Sequence, residues 1–138
     1  MRRVVFLSIL LLMGNTYAVT ENQLLQILQR LGGNAYLVMV NKPQIDASTN
    51  GPQIFVNRQY SKKWSIDEAA WTLGHELGHR LASGSTHQRE LQSDYLGFLY
   101  AKRAGYNPCN GIKRILTWMP DSDHPDPQYR YAALRKYC

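Results

Sequence analysis

The sequence predicts an α+β fold, mostly helical, with one small sheet. Two runs of β-forming residues, Ala35 to Val40 and Gln53 to Asn57, stand close together in the first half of the chain. A capped amphipathic segment precedes them, and helical patterns fill most of the chain beyond Asn57. The order helix, two strands, then helices is that of an α+β chain, and 138 residues with 44% hydrophobic content suit a single domain with one core.

The first eighteen residues differ from the rest. Met1-Arg2-Arg3 is a basic start, Val4 to Met13 is apolar apart from Ser8, and Thr16-Tyr17-Ala18 offers small residues at a cleavage site. This pattern predicts a signal peptide over 1-18, cut after Ala18, and an exported protein, periplasmic or secreted, whose mature domain is 19-138. The alternative is an uncleaved membrane anchor, although the apolar run is short for a span. Contact with a membrane is expected only in that case.

In the mature chain, Thr20-Glu21-Asn22-Gln23 has the form of a capping box, and Leu24, Leu25, Ile27, Leu28 and Leu31 follow at helical spacing until Gly32-Gly33. The two strands come next, separated by a polar loop holding Pro43, Asn50, Gly51 and Pro52. Ser65-Ile66-Asp67-Glu68 is a second capping box with acids in the first turn, and it predicts a helix from about Ile66 to about Ala82. Ser83 to Thr86 reads as a turn. A third helix runs from His87 to Ala104 and stops at Gly105. A short helix near Ile112 to Trp118, a loop rich in Pro and Asp, and a last helix near Gln128 to Lys136 complete the chain.

Cys109 and Cys138 are the whole cysteine inventory. In an oxidising compartment they are expected to pair, closing a loop of about thirty residues worth roughly 3 to 4 kcal/mol in chain entropy. Two unpaired thiols, or an intermolecular bond from the terminus, are the alternatives. The formal charge of +6 falls to +4 without Arg2 and Arg3, since fourteen Lys and Arg then face ten Asp and Glu. The bases are scattered in pairs, so nucleic-acid binding, which needs a basic stripe with interleaved aromatics, is not expected.

The chemistry is concentrated in Trp71 to Ala82, WTLGHELGHRLA. His75 and His79 lie one helical turn apart on one face and can converge on one ion, and two imidazoles suit zinc. Glu76 points about 100° away around the axis, where a carboxylate can act as general base on a metal-activated water. A catalytic zinc needs a third protein ligand and an open fourth position. The next helix offers Glu90 as that ligand, and Asp94, one turn on, as the partner of a ligand histidine's other ring nitrogen. Gly74 and Gly78 each weaken a helix by up to about 1 kcal/mol, a local cost expected where another helix or a substrate must approach the backbone closely.

The blocks GHELGH, RELQSDYLGFLYAKRAGYNP and DHPDPQYRYAALRKY, in that order, resemble the gluzincin metallopeptidases of the HtpX and CAAX-prenyl-protease branch. The resemblance covers the chain from about Ala35 onward. It implies a zincin-like core in which the edge strand of a small sheet lies over the active-site helix. It also implies Glu90 as third ligand and Asp94 beside it, as the residues themselves indicate. By resemblance, His124 lies near the substrate or the developing oxyanion, and Arg130 holds that loop or faces the transition state. The strand with Ile54, Phe55, Val56 and Asn57 would be the edge that receives substrate.

The sequence thus predicts a zinc endopeptidase, one Zn²⁺ per chain, acting on extended or unfolded protein or peptide substrates in the cell envelope or outside the cell. The rival expectation is a zinc-stabilised, non-cleaving binding or chaperone-like module. Glu76 favours the enzyme, because a structural site needs no base.

Overall fold

The computed structural model describes residues 18–44 and 46–138; the expected leader falls almost entirely outside them. The fold is α+β: a three-stranded sheet and a helical body. Among the described residues no helix is long and apolar enough to cross a membrane.

Helix α1 (Glu21–Leu31) begins with the expected capping box of Thr20 and Gln23 and ends at Gly32, whose φ of 79° a glycine adopts without strain. Its apolar stripe, Leu24, Ile27, Leu28 and Leu31, is buried. β1 (Tyr36–Val40), β2 (Ala47–Asn50) and β3 (Gln53–Asn57) form one sheet in the order β1-β3-β2. β1 runs parallel to β3 and β2 antiparallel to it.

This order corrects the expectation for Ile54, Phe55, Val56 and Asn57. β3 is the central strand, with both edges occupied, so it offers no edge to a substrate. Its Ile54 and Val56 are fully buried, as a central strand requires. The segment read as a polar loop contains the missing strand β2, joined to β3 through Gly51-Pro52 with Asn50 opposite Gln53. Ala47-Ser48-Thr49-Asn50 has no apolar alternation because it pairs on one side only and lies partly open to solvent.

After a single turn, α2 (Arg58–Ser61), α3 (Ile66–Gly78) crosses the sheet and α4 (Thr86–Arg103) packs along α3. α3 starts at the predicted Ser65–Glu68 box but ends earlier than expected. Beyond Gly78 the backbone tightens, with Arg80 N–H donating to Leu77 O and Leu81 N–H to Gly78 O. Ser85, read as part of a turn, caps α4 in a box with Gln88. The expected single short helix is two pieces, α5 (Pro108–Gly111) and a 3-10 segment over Ile112–Thr117, and α6 (Pro127–Arg135) closes the chain.

Two apolar clusters hold these layers. Ile54, Val56, Leu73 and Leu77 join the α1 stripe in one, and Trp71, Phe98, Ile112, Ile115 and Leu134 form the other. Cys109 and Cys138 are disulfide-bonded and fasten the chain end to α5. On α4 the face carrying Glu90 and Asp94 is the buried one, together with Ser93, Gly97, Phe98 and Ala101, whereas Leu99 is 41% exposed.

Candidate metal centre

The buried faces of α3 and α4 meet at four of the predicted site residues. His75 Nε2 lies 3.0 Å from His79 Nε2 and 3.4 Å from Glu90 Oε2, and His79 Nε2 lies 3.3 Å from Glu90 Oε1. These three residues could hold a metal ion. A tetrahedral ion bonded at about 2.0 to 2.1 Å needs donors roughly 3.3 to 3.4 Å apart. The two imidazole–carboxylate contacts, each to a different Glu90 oxygen, have that length, and one ligand atom from each residue lies within 4.8 Å of the others. The shorter His75–His79 separation is that of one shared proton.

Asp94 sits behind this triangle. His75 Nδ1 is 2.9 Å from Asp94 Oδ1, although the ring N–H is not well aimed at that oxygen. The contact directs Nε2 toward the other donors, which is the orientation a ligand imidazole needs. Asp94 is in turn gripped by Arg130, whose Nε and Nη2 donate to its two oxygens at 2.8 and 2.7 Å. Nη2 also reaches Glu90 Oε2 at 3.3 Å. The Arg130 side chain is 2% exposed, with Trp118 packed 4.7 Å from its guanidinium carbon. Its guanidinium is committed to these two carboxylates on α4 and makes no hydrogen bond to the His124 loop among the described residues.

Burial alone would lower the His75 pKa, but the adjacent carboxylates of Asp94 and Glu90 outweigh it and raise the value to about 9. Burial, reinforced by the charge on His75, lowers His79 to about 4. Burial works against ionised Glu90 and Asp94, yet both are held below the ordinary carboxylate range, Glu90 chiefly by His75 and Asp94 chiefly by Arg130. Glu76 differs. Burial pushes it up to about 7 against the pull of His75, so it is poised to exchange a proton near neutral pH.

The triangle opens onto a cleft of about 1300 Å³, bounded by β2, by the C-terminal half of α3 and by the loop leading to α6. Glu76 lines it, as does His124. The His124 ring is half-exposed; its Nε2 lies 3.8 Å from Glu90 Oε1 while Nδ1 faces both Asp121 oxygens at 2.9 and 3.0 Å. His75, Glu76, His79, Glu90, Asp94, His124 and Arg130 are therefore gathered at one place, and the β3 residues are not among the cleft walls. β2 takes that position.

Sequence reasoning missed Asp46, Arg114 and Asp121. Buried Arg114 pairs with Asp46, donates to Thr72 Oγ1 at 3.0 Å and lies 4.1 Å over the Trp64 ring, tying the segment before β2 to the helical body. No local pattern marks that pair. Asp121 was detectable: its Oδ1 accepts the N–H groups of Asp123 and His124, as an Asx-turn residue does. No family model matches the chain, and no curated protein or solved structure matches it either.

Proposed function

We propose that the protein is an exported zinc endopeptidase that hydrolyses peptide bonds in extended or unfolded protein segments. The observation that carries this reading is the three-donor triangle, open on the side of a cleft that Glu76 lines. A purely structural zinc is usually enclosed by four protein ligands, with no carboxylate base beside it. Resemblance to the gluzincins, and with it a zincin-like core, belongs to the same proposal. Export is supported by the disulfide, which persists in oxidising compartments.

Zinc held by His75, His79 and Glu90 would lower the pKa of water to about 7 and polarise a scissile carbonyl. Glu76 accepts the proton of the attacking water while the hydroxyl oxygen adds to the carbonyl carbon. The carbon–nitrogen bond then breaks, and the same proton passes from Glu76 to the departing amine. Asp121 holds the His124 ring with Nε2 toward the site, where the ring with both nitrogens protonated can donate to the carbonyl oxygen as charge develops. The edge of β2, unpaired among the described residues, supplies backbone groups for an extended substrate.

Glu76→Gln tests this. The variant should keep one zinc per chain and lose cleavage of an unfolded, casein-like substrate. Undiminished turnover would sink the assigned role, and zinc bound with no cleavage by the unaltered protein would favour the non-cleaving module.

A further inference from the structure

We propose that the cleft selects protein segments carrying an acidic side chain beside the bond to be cut, recognised by Arg80 and Arg89. This rests on the endopeptidase reading and adds the substrate class.

Of the charged side chains on the cleft wall, only Glu76, Arg80 and Arg89 form no ion pair among the described residues. The other carboxylates there each have a basic partner within the fold: Asp46 has Arg114, Asp121 has His124, and Glu90 has both ligand histidines and Arg130. Arg80 and Arg89 also line the cleft and are exposed, and neither forms an ion pair among the described residues. Arg80 follows His79 directly and donates through one Nη1 to Asn34 O at 3.2 Å, which anchors the side chain and leaves its other donors free. Arg89 directly precedes Glu90 on α4 and lines the same cleft as His79.

Two unmatched guanidinium groups therefore flank the ligand pair His79–Glu90 at one end of the cleft. The other end, one to two helical turns back along α3, carries Thr72, Trp118 and Met119, with its charged pair already internal. Guanidinium groups prefer carboxylates, which they bind through two parallel N–H donors. An acidic side chain of the substrate meets that preference at the His79 end.

The test compares quenched fluorescent peptides of one length that carry Glu, Gln or Lys at the positions flanking the scissile bond, with the zinc-loaded protein. Two surface ion pairs should favour the Glu peptide over Gln by about five- to tenfold in kcat/KM. The preference should shrink as salt is raised. Arg80→Glu with Arg89→Glu should reverse the order toward Lys, whereas Lys102→Glu, on the distal end of α4, should leave the wild-type order. Equal kcat/KM for Glu and Gln peptides, or an order unchanged by the arginine reversals, overturns the proposal. If no peptide is cut, the endopeptidase reading fails. Anisotropy of the labelled Glu and Gln peptides on the Glu76→Gln protein then decides this inference separately: tighter binding of Glu supports it, and equal binding refutes it.

Discussion

Gly97 on α4 lies directly against the backbone of His75 on α3: a Cβ built on Gly97 would fall 2.8 Å from the His75 nitrogen and 3.0 Å from the Trp71 carbonyl oxygen. The contact is reciprocal. A Cβ on Gly74 would meet the Gly97 backbone at 3.0 Å, and one on Gly78 would meet Leu96 Cβ at 3.0 Å. The two glycines that weaken α3 therefore admit α4, not a substrate, and the near contact of backbones lets Glu90 reach both histidines. Gly97→Ala should force the helices apart, costing about 1 to 3 kcal/mol as overpacking does. It should also lower zinc occupancy. Denaturant melts with and without chelator will show it; wild-type stability and wild-type zinc content in this variant would mean that the close approach is not needed.

Zinc affinity should depend on pH through His75. With His75 raised to about 9 and His79 lowered to about 4, the pair carries one proton at pH 7, on His75. The folded pKa is above the ordinary 6.5, so this proton's contribution to metal-free stability is complete below about 6.5 and is lost as pH rises toward 9. An ion must displace that proton. Affinity should therefore rise about tenfold per pH unit between roughly pH 7 and pH 9 and flatten above it. Calorimetric titration in buffers of different ionisation enthalpy should count about one proton released per ion at pH 8. A pH-independent affinity across that range would contradict the arrangement.

How much of the fold and the site is legible in the sequence depends on how local each signal is. Ser65 with Glu68 and the His75, Glu76, His79 spacing are properties of one helix, and α3 delivers them with His79 as its C-cap, still in helical conformation. Glu90 and Asp94 are legible because α4 repeats at the turn of a helix, but their burial is not, since it depends on glycines that only matter once α3 is opposite. β2 escapes a sequence reading because its order comes from backbone pairing with β3, not from an apolar pattern in Ala47–Asn50. That omission also misplaces the edge of the sheet. The Asp46–Arg114 pair joins residues distant in sequence and leaves no trace in either neighbourhood.

Arg130→Lys should show that the grip on Asp94 matters through its shape. The guanidinium uses two nitrogens on Asp94 and shares one of them with Glu90. A lysine ammonium is a point charge and cannot reproduce that fork. The buried carboxylates would be left partly unpaired, for a loss of about 2 to 4 kcal/mol. Zinc affinity should fall about 10- to 100-fold, as it does when the groups behind metal ligands are disturbed. Chelator competition on the folded variant separates the two effects; unchanged affinity would show that Arg130 serves stability alone.

The disulfide makes a related prediction from the other end of α6. The Cys109–Cys138 bridge fastens the segment after α6 to α5, and α6 carries Arg130. Cys138→Ser opens a loop with a sequence separation of 29 residues. Chain entropy puts the loss near 3 to 4 kcal/mol. A loss confined to the unfolded state would lower the melting temperature and leave zinc affinity alone. α6, however, packs on the 3-10 segment and on α4, and Arg130 is the link between it and the ligand carboxylates. Loosening the chain end should therefore weaken zinc binding measurably in the folded variant, and reduction of the unaltered protein should do the same, reversed on reoxidation. Zinc affinity identical in the bridged and open forms would show that α6 is seated by its own packing and that the bridge acts on the unfolded chain only.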